Sequence, residues 1–203
     1  MRTVKYVAID FETANDALTS ACSVGLAKME GAKVLETYYT LLKPPSPYFS
    51  PKNSQIHGLS NEDVKDAPNF AEVWPSMVDF IDKELLIAHN APFDSAIVRA
   101  LAEFYSLKLP NLRYTCTLKI ARKKWVGLHS YSLAVLSAYF AFPYHAHHAL
   151  EDAINCGLIF NQALPFQKER DVLKELERLA VPLNYLTGGV APYEVEVNQG
   201  TLL

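Results

Sequence analysis

The sequence predicts an α/β fold in which helices flank a mixed β-sheet. Three segments with the composition of strands come first, at residues 4–12, 21–29 and 34–42. The short turn at Glu30 and Gly31 joins the second and third segments and predicts an antiparallel hairpin. Helical and strand patterns then alternate along the chain, which is typical of α/β folds. Together these observations predict a sheet that contains both antiparallel and parallel strands.

The remaining elements follow from apolar periodicity and capping residues. Asn69, with Glu72 three residues later, is typical of a helix start and predicts a helix to about Asp82, in which Pro75 would cause a kink or an early end. Four prolines within residues 44–51 predict an irregular loop. Further strands are predicted at 85–89 and 113–117, and further helices at 93–106, 118–125, 131–141, 148–162 and 167–180.

The amino-acid composition is typical of an ordinary globular protein. Half of its 203 residues are hydrophobic and a fifth are charged, which suits one ample core. We expect one main domain at residues 1–165. Residues 166–203 would form a C-terminal helix and tail that either pack on the same domain or bind a partner.

Charge and cysteine content narrow the classes of protein. The net charge of −3 gives no bulk basicity that would indicate nucleic acid, although a bound cation can reverse the sign of a local acidic site. Three scattered cysteines predict reduced thiols and a cytoplasmic protein. We expect no membrane segment, since no apolar run has the required length, and no signal peptide, since Asp10 and Glu12 fall where the apolar region of such a peptide would be. The oligomeric state is left open.

Asp10 and Glu12 interrupt an otherwise apolar strand, VAIDFET. Alternate side chains of a strand share a face, so these two carboxylates project together from Cα atoms roughly 6.5 Å apart. Ionised acids in an apolar setting repel each other and resist desolvation, unless a hard cation lies between them. Oxygen ligands favour magnesium or manganese. The alternative is that the strand simply emerges into solvent at residue 10.

Two further acids lie at predicted helix starts. Asp94 follows a buried strand in LLIAHNAPFD, and Asp152 lies in HHALEDA, five residues after His147. The helix macrodipole alone favours acids in a first turn, so each also has a purely structural explanation. We discount a transition-metal site formed by His145, His147 and His148, because adjacent histidines rarely converge on one ion.

The motifs IDFET, HNAPFD and HHALEDA, in this order, resemble the DEDDh family of 3′→5′ exonucleases. That family includes the proofreading epsilon subunit of bacterial DNA polymerase III and ribonuclease T. The resemblance covers roughly residues 4–162 and implies a ribonuclease H-like fold with a five-stranded mixed sheet. Matched position by position, it implies that the four acids of the family are Asp10, Glu12, Asp94 and Asp152, and that its catalytic histidine is His147.

The resemblance implies release of nucleoside 5′-monophosphates from the 3′ ends of single-stranded nucleic acid, with DNA slightly favoured. Two divalent cations, Mg²⁺ with Mn²⁺ as a substitute, would neutralise the phosphodiester and lower the pKa of a bound water. Asp10 would bridge both ions, Glu12 and Asp152 would complete one site, and Asp94 would hold the other ion. His147 would take the proton from the attacking water.

Two segments are candidates for contacts with the terminal nucleotide. Thr13 follows the first acid pair, where the family commonly makes such contacts. QIHGLS (55–60) resembles a segment lining that pocket, in which Ile56 would wedge against the base and His57 would contact the nucleotide. The alternative is a loop with one buried isoleucine and a turn at Gly58. The basic run in LKIARKKW would either attract phosphates or form a solvated helix face.

Two other functions stay open. One is a catalytically silent nucleic-acid-binding subunit associated with a polymerase, and the other is a phosphodiesterase of short oligonucleotides or small molecules. A DNA polymerase subunit is one expected partner, so replication, repair and turnover are all open roles. The choice between DNA and RNA depends on the space around the sugar 2′-OH, which one sequence does not fix.

Overall fold

The chain forms one mixed sheet with helices on both faces, in a computed structural model that describes residues 4–165 and 168–187. The described strands are β1 (Lys5–Thr13), β2 (Ala21–Glu30), β3 (Lys33–Leu41), β4 (Leu85–Ala88), β5 (Leu112–Cys116) and β6 (Asn184–Leu186). The described helices are α1 (Pro51–His57), α2 (Asn61–Val64), α3 (Phe70–Ile81), α4 (Ala91–Phe104), α5 (Thr117–Lys124), α6 (Leu133–Tyr139), α7 (Ala149–Ala163) and α8 (Glu169–Arg178). This architecture confirms the predicted helix-flanked mixed sheet.

The sheet has the strand order β3-β2-β1-β4-β5-β6. β1 pairs antiparallel with β2, and β2 with β3 through the predicted hairpin. β4 lies parallel to β1, and β5 lies parallel to β4. The carboxyl ends of these three parallel strands therefore meet at one edge of the sheet, and the segments that follow them gather there, as is typical of sites in α/β folds.

Two regions differ from the expectation. β6 pairs antiparallel with β5 and makes the sheet six-stranded rather than five-stranded. The sequence did not predict this strand, because three residues are too few to show an alternation pattern. The expected proline-rich loop ends at Ser50, and α1 begins at Pro51. The Ser50 side chain accepts a hydrogen bond from the Asn53 N–H, and a proline at the first helical position has no intrahelical hydrogen bond to lose.

α3 begins at the predicted cap. The Asn69 side chain accepts a hydrogen bond from the Glu72 N–H, and the Glu72 carboxylate accepts one from the Asn69 N–H at 2.7 Å. The helix runs without interruption across Pro75 to Ile81, so this proline does not shorten it. Phe70, Trp74 and other apolar residues of α3 pack in the core on one face of the sheet.

β1 divides its side chains between two cores. Val7, Ile9 and Phe11 lie in the core beneath α3 and α4. Tyr6 and Ala8 lie in the core on the opposite face, which α7 and α8 cover. Since side chains alternate along a strand, the next residues on the α7 face are the two acids of the DFE segment. The strand thus carries acids toward α7 at the point where the apolar core ends.

Helix α7 approaches the sheet closely because glycines lie at two contacts. Gly25 of β2 pairs with Asp10, and a Cβ built on Gly25 would lie 2.3 Å from the backbone nitrogen of Leu150 in α7. On the helix side, a Cβ on Gly157 would lie 2.0 Å from the Met29 sulfur. The N-terminal turn of α7 therefore rests directly on the strand beside Asp10.

The C-terminal elements pack against both sides of the sheet. Val172 and Leu176 of α8 lie buried in the core beneath α7. On the other side, Arg99 of α4 donates a hydrogen bond to the Tyr185 carbonyl oxygen of β6 at 2.8 Å. Residues 166, 167 and 188–203 of the predicted C-terminal region lie outside the described residues.

None of the helices described in this chain combines the length and the apolar composition needed to cross a lipid bilayer.

The close approach of α7 predicts that Gly25→Ala destabilises the protein. The added methyl group would overlap backbone atoms of Ala149 and Leu150, which cannot move without displacing the helix. Overpacking of this kind costs about 1–3 kcal/mol, so we expect the melting temperature to fall by several degrees. Gly157→Ala is the matched control: its methyl group meets the flexible Met29 side chain, which can adjust. Equal melting temperatures for the two variants would contradict this account.

Candidate active site

Asp10 and Glu12 lie near the carboxyl end of β1, on the face covered by α7. Their cross-strand partners on β2 are small, Gly25 opposite Asp10 and Ser23 opposite Glu12. The register of β1 against β2 shifts between Glu12 and Thr13, and such irregularities often re-aim side chains beside active sites. The sheet therefore presents both carboxylates together, with little side-chain bulk beside them.

Asp94 reaches this site from the opposite layer of the fold. It is buried, only 4% exposed, in the first turn of α4. Asn90 precedes the helix in the left-handed conformation, with φ of 74°, which asparagine tolerates better than most residues. The turn from β4 into α4 therefore brings Asp94 to the edge of the sheet where β1 ends.

His89 braces that turn. Its Nε2 lies 2.8 Å from the Tyr131 carbonyl oxygen and its Nδ1 lies 2.9 Å from the Thr117 hydroxyl. Burial lowers the pKa of His89 to about 4, so the ring is neutral, with Nε2–H donating to Tyr131 and Nδ1 accepting from Thr117. The histidine of the HNAPFD motif thus ties β4 to α5 and to the loop before α6.

Asp152 and His147 come from the start of α7 and the segment before it. Asp152 is buried, 5% exposed, and His147 is exposed. His147 has a left-handed φ of 65°, which is uncommon outside glycine. Ligand atoms of Glu12, His147 and Asp152 all lie within 4.8 Å of one another. The structure therefore brings the imidazole to two of the acids.

The four carboxylates perturb one another strongly. Desolvation raises the pKa of Asp10 well above its usual range, and the charges of Asp94, Asp152 and Glu12 raise it further. Desolvation and then Asp152 raise the pKa of Glu12 to about 7. Burial likewise raises the pKa of Asp94, partly offset by backbone N–H groups. Without a cation, the cluster must therefore hold one or more protons at neutral pH.

The donor set suits a hard divalent cation. Four carboxylates supply oxygen ligands, which magnesium and manganese prefer, and every cause acting on the Asp10 pKa raises it. A cation at the cluster would replace the protons and remove the repulsion between the acids. The residues present therefore fit bound divalent ions.

The neighbouring histidines have different surroundings. His148 stacks on Tyr39 of β3, with ring centroids 4.6 Å apart. Its Nδ1 is buried, and the described part of the chain offers it no hydrogen-bond partner. His145 is exposed. Of the three, His147 is the one whose ring nitrogen groups with Glu12 and Asp152.

The candidate nucleotide contacts lie beside the end of β1. Ile56 lies on α1 and is 44% exposed, so it is neither buried nor in a loop. The His57 Nδ1 accepts a hydrogen bond from the Leu59 N–H, and its Nε2 lies 3.2 Å from the Thr13 carbonyl oxygen. With Nδ1 accepting, Nε2 must donate to Thr13, so both ring nitrogens of His57 are already engaged within the protein.

Two residues near the site have no prediction from the sequence. Tyr144 donates a hydrogen bond to Oδ1 of Asp152, but a single tyrosine in a loop shows no periodicity that would mark it. His89 belongs to the quoted HNAPFD motif, and its place directly before Asn90 was the available signal.

The basic run on α5 contributes one ion pair within the protein. The Lys124 ammonium group lies 3.0 Å from the carboxylate of Glu175.

Comparisons with known proteins find similarity to exonucleases. Residues 7–160 match the RNase T family, described as exonuclease. Over 189 residues the chain is 30% identical to the PolC-type DNA polymerase III of Thermotoga maritima. This alignment covers 89% of this chain and 13% of that polymerase. Over 163 residues it is 29% identical to the DNA polymerase III subunit epsilon of Aquifex aeolicus, covering 78% of this chain and 80% of that subunit.

A solved structure has the same fold and some sequence identity. It is exonuclease X in complex with 5′ overhanging duplex DNA, with a TM-score of 0.64 and 25% identity, covering 79% of this chain and 91% of that one. The chain thus corresponds to a small part of the PolC-type polymerase and to most of the epsilon subunit and of exonuclease X.

The acidic cluster predicts that the cation-free protein loses stability as pH rises. The Glu12 pKa is about 7 in the folded chain against an ordinary 4.5, so between these values the folded chain keeps a proton that the unfolded chain has released. The free energy of unfolding therefore falls with rising pH across this interval. We expect the melting temperature in EDTA to fall between about pH 5 and pH 8, and Mg²⁺ to raise it most at the higher pH.

Two variants control this experiment. Asp10→Asn removes a carboxyl group whose own pKa is raised well above its usual range, so the melting temperature of this variant in EDTA should depend less on pH and should respond little to Mg²⁺. Asp79→Asn, on an exposed position of α3, should behave as the unchanged protein does. A wild-type melting temperature that rises across this pH range in EDTA would contradict the prediction.

Proposed function

The chain belongs to the RNase T exonuclease family, and from this premise we propose that it is a metal-dependent 3′→5′ exonuclease of the DEDDh type. The observation that carries the proposal is the convergence of four acids from three separate segments. The charges of Glu12, Asp94 and Asp152 all raise the pKa of Asp10, so the four lie together. Such a cluster is costly to maintain unless cations bind it.

The substrate is single-stranded nucleic acid with a free 3′ end, with DNA slightly favoured. The DNA preference rests on the polymerase III relatives and on the DNA complex of exonuclease X. Water attacks the phosphorus of the terminal linkage, and the bond to the 3′ oxygen of the penultimate nucleotide breaks. The products are a nucleoside 5′-monophosphate and a strand with a new 3′ hydroxyl.

The four acids would hold two divalent cations, Mg²⁺ with Mn²⁺ as a substitute. Asp10, whose pKa is raised by the charges of the other three acids, would contribute to both sites. Glu12 and Asp152 would complete one site, and Asp94, from the opposite layer, would hold the other ion. Bound there, the ions would supply charge that neutralises the phosphodiester, lowers the pKa of a water and stabilises the departing oxygen.

His147 is the general base. Its ring nitrogen lies within 4.8 Å of ligand atoms of Glu12 and Asp152, where an attacking water would be held. The exposed ring can accept the proton of that water and pass it to solvent. The left-handed backbone of His147 supports a functional constraint, because uncommon backbone conformations cluster at active sites.

The terminal nucleotide packs near the end of β1. Ile56, exposed on α1, wedges against the terminal base, and contacts of this kind tolerate any base sequence. Thr13 contributes backbone and side-chain groups beside Glu12. Because both ring nitrogens of His57 are engaged, its part is to form the pocket wall and to hold Thr13 in place.

The biological setting that we propose is the replication or repair of DNA. A DNA polymerase subunit is the partner that the polymerase III relatives support, and replication or repair is the corresponding role. We assign residues 1–165 to the exonuclease domain, with α8 and β6 packed on it. Three buried thiols suit a reducing compartment such as the cytoplasm.

The role of His147 predicts a large loss of rate in His147→Ala. Removing a positioned general base typically costs about 10²–10⁴-fold, so kcat for release of mononucleotides should fall by that factor. His145→Ala is the matched control, since His145 is an exposed histidine two residues away. If both variants retain wild-type kcat, His147 is not the base.

The substrate class is tested with a panel of matched single-stranded DNA, single-stranded RNA, duplex DNA and a dinucleotide. With Mg²⁺ we expect mononucleotides from unblocked single strands, and none with EDTA, with a blocked 3′ terminus or from Asp10→Asn. Binding without release would favour the silent polymerase-associated subunit. Cleavage of the dinucleotide alone would favour the short-oligonucleotide phosphodiesterase. Release that begins at the 5′ end would contradict the proposal.

A further inference from the structure

Tyr144 is a polar contact of the acidic cluster that the proposed reaction does not use. It lies between α6 and α7, three residues before His147, and its hydroxyl donates a hydrogen bond to Oδ1 of Asp152. Burial and then the neighbouring Asp152 raise the pKa of the Tyr144 phenol above its ordinary value, so this group is a donor throughout the physiological range. Oδ1 of Asp152 therefore accepts a hydrogen bond from a group that is not one of the four acids.

A buried polar network holds the segment that carries Tyr144. Asn155 of α7 is 1% exposed, and its Nδ2 donates to the Pro143 carbonyl oxygen at 3.2 Å. The same amide donates to the Glu151 carbonyl oxygen at 3.1 Å. Asn155 lies three residues after Asp152, so one turn of α7 fixes both the carboxylate and the residue before Tyr144.

The far end of the network is buried as well. The Ser137 hydroxyl of α6, which is fully buried, donates to Oδ1 of Asn155 at 3.0 Å. This bond fixes the orientation of the amide, so Nδ2 must point to the backbone of the loop. Fully satisfied buried polar networks confer a unique geometry on their members. The position of Tyr144 is thus set by α6 and α7 together.

The carboxylate of Asp152 needs such an anchor. Rotation about the last side-chain torsion of aspartate is only weakly restricted, and repulsion from Glu12 and Asp10 would turn its oxygens away from the cluster. A hydrogen bond to Oδ1 restricts this rotation and fixes how the second oxygen faces the other acids. Groups that orient metal ligands in this way typically change metal affinity or activity by about 10–100-fold.

We propose that Tyr144 is a positioning residue for Asp152 and that, through this contact, it sets the affinity of the acidic cluster for divalent cations. The proposal rests on the cation-binding role of the four acids given above. It assigns to the Ser137–Asn155 pair the supporting role of holding the tyrosine in place. A direct contact of the phenol with a phosphate oxygen of the substrate is the competing role.

The test is Tyr144→Phe, which removes the hydroxyl and keeps the ring. Mn²⁺ affinity is measured by calorimetry without nucleic acid, and kcat and KM are measured on a single-stranded oligonucleotide. We expect Mn²⁺ to bind about 10–100-fold more weakly, and kcat at low Mn²⁺ to fall and then recover toward wild type at high Mn²⁺. The KM for the oligonucleotide at saturating Mn²⁺ should stay within about twofold of wild type.

Tyr139→Phe is the matched control, because Tyr139 is 61% exposed on α6, and it should leave Mn²⁺ affinity unchanged. Ser137→Ala, which removes the far end of the network, should weaken Mn²⁺ binding in the same direction by a smaller factor. If Tyr144→Phe folds poorly, the Mn²⁺ affinity of Ser137→Ala tests the proposal in its place.

Unchanged Mn²⁺ affinity in Tyr144→Phe would overturn the proposal, and a raised KM in that case would assign the phenol to the substrate. If the wild-type protein binds Mn²⁺ but releases no nucleotide, the proposed exonuclease function fails while the comparison of affinities still tests Tyr144. If nucleotide release persists and the variant binds Mn²⁺ as wild type does, only the role of Tyr144 fails.

Discussion

Mutual repulsion among four carboxylates is the constraint on which the rest of the structure depends. Oxygens of Glu12 and Asp152 lie within 4.8 Å of each other, and two full charges at that separation repel by roughly 3 kcal/mol at an effective dielectric constant of about 20. Desolvation adds to this repulsion at Asp10 and Asp94. The folded chain therefore holds the acids in an arrangement that they would not adopt by themselves. Bound divalent cations would relieve the repulsion between them.

The fold maintains this arrangement by attaching each acid to a well-packed element. Val7, Ile9 and Phe11 bury one face of β1, so the adjacent acids cannot rotate to that side. Helix α7 is held on β2 through apolar contacts and through the close approach at Gly25. The energy that opposes the repulsion comes from these buried apolar surfaces, which lie next to the acids and not among them.

Much of the site was predictable because local patterns carry it. The alternation of VAIDFET places Asp10 and Glu12 on one face whatever the rest of the fold does. Asp94 and Asp152 appear at helix starts, where the macrodipole gives them an ordinary explanation, so only the order of the three motifs linked them to the first pair. β6, with three residues, and Tyr144, in a loop, carry no comparable pattern.

The sequence by itself determined which acids share a strand face, where the main helices begin and which family the motifs resemble, because these properties depend on neighbours within a few residues. Only the tertiary structure decided that α4 and α7, from opposite layers, bring their first turns to the same strand end. It also decided that His148 turns to Tyr39 while His147 turns to the acids. The contacts of His148 with Tyr39 and of His147 with Glu12 join residues more than a hundred positions apart, and their geometry is set by the packing of whole helices on the sheet.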